Sequence, residues 1–507
     1  MLTSLSAHSR IGSLSEILNM AVTSYNQKPY LTAARPESHP DRIAALARLM
    51  DLPAPLPEQC SLLELGCGTG GNIIPWAERY PGSRFVGIDI ANTHVEMAQR
   101  VADKLALKNL DLRVGDIATC DINTGAYDYI VCHGVYSWVS EDVQRRILEV
   151  CKAALSPNGV VFLSYNVLPG WRQRGLIRDI MMYGASLESS DEPELKLQSA
   201  ARFLGLVASS RKKKDDLYGR YLQEAIARLQ GSDSSYLFHE FLEENNSPCL
   251  FSDFIQRAQA VGLQFLSEAR PAFMFSDDLG EEETRFLESL GDDVVKREQA
   301  LDIFRNRMLR ETLLCHDDRP LKRDLRASVF RSLVFSTEYR QNGSEGKDVR
   351  FRDLTSGGEV SLPKGIGTLV LSAIGEAGPT GTELPDLLRR VAEKGLPSSG
   401  EGEVFGNVVA LWRAGFVEVS CARYPVIREP IGLAKTSELA LLQVGAGDSA
   451  TSLRHRHHQL SSSERLILSI SDGSRDFKTI VDQVEKVARG TAKDALERLV
   501  SLGYFMA

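Results

Sequence analysis

Glu64-Leu65-Gly66-Cys67-Gly68-Thr69-Gly70-Gly71 is the stretch on which the reading of this chain turns. It lies between an apolar run, Cys60 to Leu65, that predicts a strand, and an amphipathic run over 71–80 that predicts a helix. Glycines at such a turn let the backbone double back and approach a ligand with no Cβ in the way. Working outward, Arg84 to Ile88, Leu110 to Val114, Tyr127 to Cys132 and Val160 to Ser164 predict four further strands, with helices near 92–106 and 140–154 between them. That alternation is the pattern of a mostly parallel, doubly wound α/β sheet. Upstream, His39 to Leu52 predicts a helix ended by the proline-rich Pro53 to Pro57.

After Trp171 the pattern changes to long amphipathic helices, including Leu195 to Ser209 and Leu217 to Leu229, separated by the charged run Arg211 to Asp216. A helix at Phe251 to Val261 leads to a β-like stretch, Leu263 to Glu268, which is expected to add a late strand to the same sheet. Gly343-Ser344-Glu345-Gly346-Lys347 is read as a flexible joint. Beyond it two similar units, built around Leu369 to Phe416 and Leu466 to Tyr504, are expected to be winged-helix-like. The expected boundaries are an N-terminal helical extension over 1–57, a cofactor-binding core over 58–170, a helical insertion with the late strand over 171–335, and C-terminal units over 348–430 and 431–507.

Composition narrows the function classes. At 507 residues, with 43% hydrophobic and 25% charged residues, the chain is long enough for several globular domains. A formal net charge of −8 argues against a dedicated nucleic-acid binder, which would carry a basic surplus. The eight cysteines show no metal-ligand or redox spacing, so no metal is expected. No apolar run is of bilayer length, and residues 1–20 carry His8, Arg10 and Glu16 where a secretory signal would be apolar, so a cytoplasmic location without membrane insertion is expected.

Gly66, Gly68 and Gly71 also satisfy the dinucleotide fingerprint, so the loop alone leaves two cofactor classes open. Glu64 favours S-adenosylmethionine, because a carboxylate there suits the cationic amino group of a methionine moiety and would repel a pyrophosphate. Asp89, with Ile90 beside it, ends the second strand and could accept ribose hydroxyls in either cofactor. Asp116 and Ile117 follow the third strand, where a carboxylate can accept an adenine amino group and the isoleucine can pack on the ring.

The ordered set Glu64, Gly66, Cys67, Gly68, Gly70, Asp89 and Asp116 resembles the signature of class I S-adenosylmethionine-dependent methyltransferases, a Rossmann-like fold. His133 to Val139, Ser164 to Trp171 and Tyr236 to Glu240 further resemble bacterial members that carry a methyltransferase regulatory domain. So do Ala258 to Ala269 and Arg310 to Cys315, and the likeness covers nearly the whole chain from about Tyr25. The resemblance includes rickettsial protein-lysine methyltransferases, and so implies a lysine acceptor on a protein substrate such as an outer-membrane or surface protein. Tyr25 and Tyr30 match the family's Tyr and Pro-Tyr segment and are implied as cofactor-binding, although the acidic residue usual before that Pro-Tyr is absent here.

Methyl transfer needs alignment and water exclusion more than a dedicated nucleophile. The acceptor pocket is expected at the carboxyl edge of the sheet, from Tyr136 and Trp138 after the fourth strand and Tyr165, Asn166 and Trp171 after the fifth. His133 is a candidate base or a contact to the cofactor, with packing as its plainer alternative. Arg454-His455-Arg456-His457-His458 is read as a basic surface turn. The rear units lack a basic recognition helix, so protein recognition or homodimerisation is expected of them rather than DNA reading. Two other readings stay open: a methyltransferase for a small metabolite or peptide natural product, and a regulator that binds S-adenosylmethionine without catalysis.

Overall fold

The computed structural model describes residues 25–211, 216–325, 327–395 and 400–507. The reading of residues 1–20, and the middle of the charged run at 212–215, lie outside them. Seven strands form one sheet in the order β3-β2-β1-β4-β5-β7-β6. They are β1 (Ser61–Leu65), β2 (Arg84–Asp89), β3 (Leu110–Val114), β4 (Tyr127–Cys132), β5 (Leu155–Asn166), β6 (Leu263–Glu268) and β7 (Leu309–His316). The first five pair in parallel, and β7 enters antiparallel between β5 and β6. The late strand is therefore present as expected, joined by a seventh that the sequence pattern did not reveal.

Helices cover both faces. On one lie α1 (Pro40–Leu49), α2 (Ile73–Arg79) and α3 (Asn92–Lys104), which bury Ile43, Leu46, Trp76 and Ala98 against Leu62, Val131 and Phe162. The start of α1 is set by Pro40 at its first position and by His39, whose Nδ1 accepts the Asp41 amide at 3.2 Å. On the other face, α4 (Glu141–Ala154) and, after the helical insertion, a helix at Phe251–Ala260 bury Ile147, Leu148, Phe254 and Ile255 against Leu63, Ile130 and Leu163.

The insertion consists of α5 (Trp171–Ser186), α6 (Pro193–Arg211), α7 (Leu217–Leu229) and α8 (Ser234–Phe241), with its own apolar cluster around Ile177, Leu204, Leu222 and Phe238. The helix Phe251–Ala260 is α9. Two more, α10 (Glu281–Ser289) and α11 (Val294–Phe304), precede β7. Arg310 of β7 is fully buried and bonded to Glu268, Glu298 and Asp302, so one guanidinium joins β7 to β6 and ties α11 to the sheet. Each carboxylate is satisfied by it, which is what makes burial of this many charges tolerable.

Residues 343–347 form no joint. Gly343 to Glu345 end the first strand of an antiparallel hairpin, Tyr339–Glu345 with Asp348–Asp353, where Gly343 pairs with Arg350, and Gly346-Lys347 form its turn. The first C-terminal unit packs Phe335, Leu371, Val408 and Trp412 into the same core that lies under α1, and the second has a separate core around Ile467, Leu499 and Tyr504. Among the described residues no helix is long and apolar enough to cross a membrane, and no group of three or more His, Cys, Asp and Glu could hold a metal ion.

Candidate functional site

Parallel pairing sets the site at the carboxyl edge of β1, β2, β4 and β5. Gly66 and Cys67 donate their amides to the Ile88 carbonyl at 2.8 and 3.1 Å, which folds the glycine loop back over β2. Gly66, Gly68 and Gly70 have φ of 74°, 53° and 79°, a left-handed region that L side chains avoid. A Cβ at Gly66 would lie 2.3 Å from Val135 Cγ2, and one at Gly68 would lie 2.4 Å from Thr32 Cγ2. We therefore expect Gly66→Ala to weaken cofactor binding at least about tenfold while circular dichroism stays unchanged, given a cost of about 1–2 kcal/mol for a left-handed alanine.

Asp89 closes the loop. Its Oδ2 accepts the Gly68 amide at 2.8 Å and its Oδ1 the Ala91 amide at 2.9 Å, and a carboxylate has lone pairs left for ribose donors. Asp116 stands next to it, since Gly115 donates to the Asp89 carbonyl at 2.9 Å, and Asp116 Oδ1 caps the turn at Ala118. Ile90 is partly exposed beside Asp89, and Ile117 packs against the core with part of its surface free. Cys67 turns its thiol into the sheet, against the Cα of Gly87, so only its backbone faces the loop.

Glu64 is 3% exposed, with Oε1 accepting Asn72 Nδ2 at 2.9 Å and Oε2 without a partner. Burial pushes its pKa up to about 8. A buried carboxyl group with one unpaired oxygen, beside glycines that hold space open, fits the ammonium of S-adenosylmethionine, which would restore the ionised form. Two results are expected. Binding of the cofactor product at pH 7 releases about one proton, seen by calorimetry in buffers of different ionisation enthalpy and absent in Glu64→Gln. In the ligand-free protein, Glu64 stabilises the fold below its ordinary value of 4.5 and loses that contribution as pH rises through about 8.

The N-terminal segment straps the loop from above. Thr32 Oγ1 accepts the Gly71 amide at 2.9 Å, and the Tyr30 amide donates to His94 Nε2 at 3.1 Å, with His94 Nδ1 3.4 Å from Asp89 Oδ1. Tyr25 stacks on His239 with ring centroids 4.5 Å apart, and Tyr30 meets the same ring edge-on at 5.9 Å. His239 Nε2 in turn bonds the Lys28 carbonyl at 2.7 Å, so α8 holds the strap in place. His94, Thr32 and Asn72 were not singled out from sequence; nothing in their local spacing marks them.

Side-chain alternation divides the acceptor candidates between two faces. Glu64 and Val131 are paired, Val131 pairs Phe162, and Ser164 pairs Glu311, so Glu64, His133, Ser164 and Glu311 share the α1 face. Tyr165 falls on the opposite face, fully buried, stacked on Phe254 at 3.9 Å and bonded to Thr312 Oγ1 at 3.0 Å. Tyr136 is buried in the same aromatic cluster, edge-on to Phe254 at 5.3 Å. In this arrangement both rings pack in the cluster on the face away from Glu64, whereas the sequence pattern placed them at the acceptor pocket. Trp138 and Trp171 meet edge-on at 6.2 Å at the rim, where Asn166 has a buried Nδ2 without a partner and Trp171 donates to Asn246 at 2.8 Å.

His133 sits between Glu64 and a second charged group. Burial, aided by Arg35, lowers its pKa to about 3, so the ring is neutral and a weak proton acceptor. The group beyond it, Glu37, Arg270 and Glu311, was missed from sequence. Arg270 Nε donates to Glu311 Oε2 at 2.7 Å, and its guanidinium lies 3.3 Å from Glu37 Oε1. Burial raises the Glu311 pKa to about 7, against the opposing pull of Arg270. A cavity of about 250 Å³ adjoins this group, lined by Glu37, Arg42, Arg270, Phe273, Trp412 and Glu418.

Arg454 to His458 is no surface turn. Arg454, His455 and His458 are buried, with Arg454 bonded to Glu338, Arg456 to Glu418 at 2.5 Å, and His455 to Asn72 at 2.7 Å.

Residues 63–161 match the family model of a methyltransferase domain and residues 233–316 that of a predicted methyltransferase regulatory domain. An uncharacterised protein of Rickettsia prowazekii is 37% identical over 243 residues, covering 48% of this chain and 96% of its own length. Another from the same organism is 28% identical over 481 residues, covering 91% of this chain and 85% of its own. The structure of PKMT2 from Rickettsia typhi in complex with AdoHcy superposes with a TM-score of 0.82 at 26% identity, covering 94% of this chain and all of that one.

Proposed function

This chain belongs to the class I S-adenosylmethionine-dependent methyltransferases that carry a methyltransferase regulatory domain, and from that premise we propose that its acceptor is the side-chain nitrogen of a protein lysine. The observation that carries this reading is the ion-paired Glu37–Arg270–Glu311 group, in which Glu311 is buried and Arg270 half exposed, on the same sheet face as Glu64, with His133 between. S-adenosylmethionine, when bound, supplies an electrophilic methyl group.

What remains for the chain is to bind a cationic amine and remove its proton. A lysine ammonium has an ordinary pKa of about 10.4 and cannot attack until it is neutral. Desolvation lowers that value while the same burial holds Glu311 near 7, so the two groups approach the match that proton transfer requires. Glu311 takes the proton from the ammonium, and the freed lone pair stays on nitrogen. Arg270 keeps the carboxylate oriented, and Glu37 balances the guanidinium charge. His133, neutral, offers its unpaired Nδ1 as a hydrogen-bond partner instead of a base.

The size of the adjoining cavity supports a side chain presented by a protein. At about 250 Å³ it is below the usual range of about 300–1,000 Å³ for small-molecule pockets, and Glu37 and Arg270 line it beside the apolar wall of Phe273 and Trp412. The name of the Rickettsia typhi neighbour and the sequence resemblance to rickettsial protein-lysine methyltransferases point the same way.

The test is incubation of purified protein with methyl-labelled S-adenosylmethionine and either a total protein extract, including outer-membrane proteins, or a metabolite extract. Label in protein supports the proposal. Label only in small molecules moves the acceptor to a metabolite, and binding without transfer moves the chain to a cofactor-sensing regulator.

A further inference from the structure

The buried turn at Arg454 to His458 reaches the cofactor site. His455 Nε2 lies 2.7 Å from Asn72 Oδ1, and Asn72 Nδ2 donates to Glu64 Oε1 at 2.9 Å. The direction of both bonds is fixed. Asn72 Oδ1 also accepts the Arg35 amide at 3.0 Å, so it is the acceptor oxygen, and Nε2 of His455 must carry the proton. Burial and the nearby Arg79 keep the imidazole neutral, which leaves that single proton facing Asn72.

The ring is held on purpose-built walls. Trp76 stacks on it with centroids 4.9 Å apart and 17° between planes, and His39 meets it edge-on at 5.4 Å. His455 itself has φ of 59°, a left-handed conformation that residues other than glycine seldom adopt. The Ser452 carbonyl, accepting the His455 amide at 2.9 Å, keeps it there. Asn72 precedes α2 directly after the glycine loop, so any tilt of its amide is passed to Glu64 within one bond.

We propose that His455 is a positioning residue for the cofactor. By fixing the Asn72 amide it aims Glu64 at the ammonium of the methionine moiety, so that seating of the last C-terminal unit sets cofactor affinity. The inference rests on the reading of Glu64 as the ammonium partner.

The experiment is calorimetric titration of the full chain with S-adenosylhomocysteine, for wild type, His455→Leu, His455→Gln, Asn72→Asp, His458→Leu and Glu64→Ala. His458 is buried within the same unit, where its Nδ1 meets Tyr504 OH at 3.1 Å, and reports loss of packing alone. His455→Leu is expected to raise Kd about tenfold, roughly the worth of one lost buried hydrogen bond, with His455→Gln near wild type because it keeps an N–H donor. Asn72→Asp, which removes the donor to Glu64, is expected to raise Kd further, and His458→Leu to leave it unchanged. Wild-type affinity in His455→Leu overturns the proposal, as does an equal loss in His458→Leu, or an equal loss in His455→Gln. Should His455→Leu not fold, Asn72→Asp with unchanged Kd overturns it equally. Wild-type affinity in Glu64→Ala instead removes the cofactor reading of Glu64, and the proposal with it.

Discussion

Replacing Asp89 with alanine weakens cofactor binding about a hundredfold. The carboxylate accepts two backbone amides, Gly68 at 2.8 Å and Ala91 at 2.9 Å, and is placed to take the ribose hydroxyls as well. Hydrogen bonds to a charged group contribute about 1.5–3 kcal/mol each, and a buried amide left unpaired costs about 1–3 kcal/mol. A net loss near 3 kcal/mol corresponds to about two orders of magnitude in Kd. Calorimetric titration with S-adenosylhomocysteine reads it directly, with Asp111→Ala, a change on the more exposed β3, as the control. A loss of less than threefold would mean that loop closure and ribose contact do not pass through Asp89.

Glu311→Gln lowers kcat by about 10² to 10⁴, the usual worth of a placed acid–base group, with the Kd for S-adenosylhomocysteine unchanged. Glutamine keeps the shape and the contact to Arg270 but cannot take a proton. The sign of the pH dependence follows from the raised pKa. In wild type, kcat rises as Glu311 loses its proton through about pH 7, and that limb is flat in the variant. A variant with full kcat, or one that retains the same limb, assigns proton removal to another group or to solvent.

The donor half of the site was legible in sequence because its parts are local. A strand, three glycines and an acid at the next strand end lie in order along the chain, and parallel pairing brings them together without further information. The proposed acceptor half was not, since Glu37, Arg270 and Glu311 come from three distant segments and meet only where β6 pairs with β7 and the N-terminal segment packs against them. Strand register also places Tyr165. Its position near a strand end suggested the pocket, yet its parity relative to Glu64 depends on which residues pair across β1, β4 and β5.

β7 was hidden by its own chemistry. Arg310, Glu311 and Thr312 break the apolar alternation that marks a strand, and they are tolerated because Glu268, Glu298 and Asp302 surround the arginine. Arg454 to His458 misled for the matching reason. Two arginines and three histidines read as a solvated face until Glu338 and Glu418, far away in sequence, supply the partners that make burial possible. The glycines at 343–347 signal a change of direction, which a joint and a hairpin turn share.

Transfer of the methyl group to a lysine nitrogen is tested by acid hydrolysis of protein labelled by the purified enzyme, followed by chromatography against methylated amino-acid standards. Label that co-elutes with methyl-lysines, and is absent when Glu311→Gln is used, is the predicted result. Label found on arginine or histidine, or released as methylamine from glutamine or as volatile methanol from carboxyl esters, would contradict it.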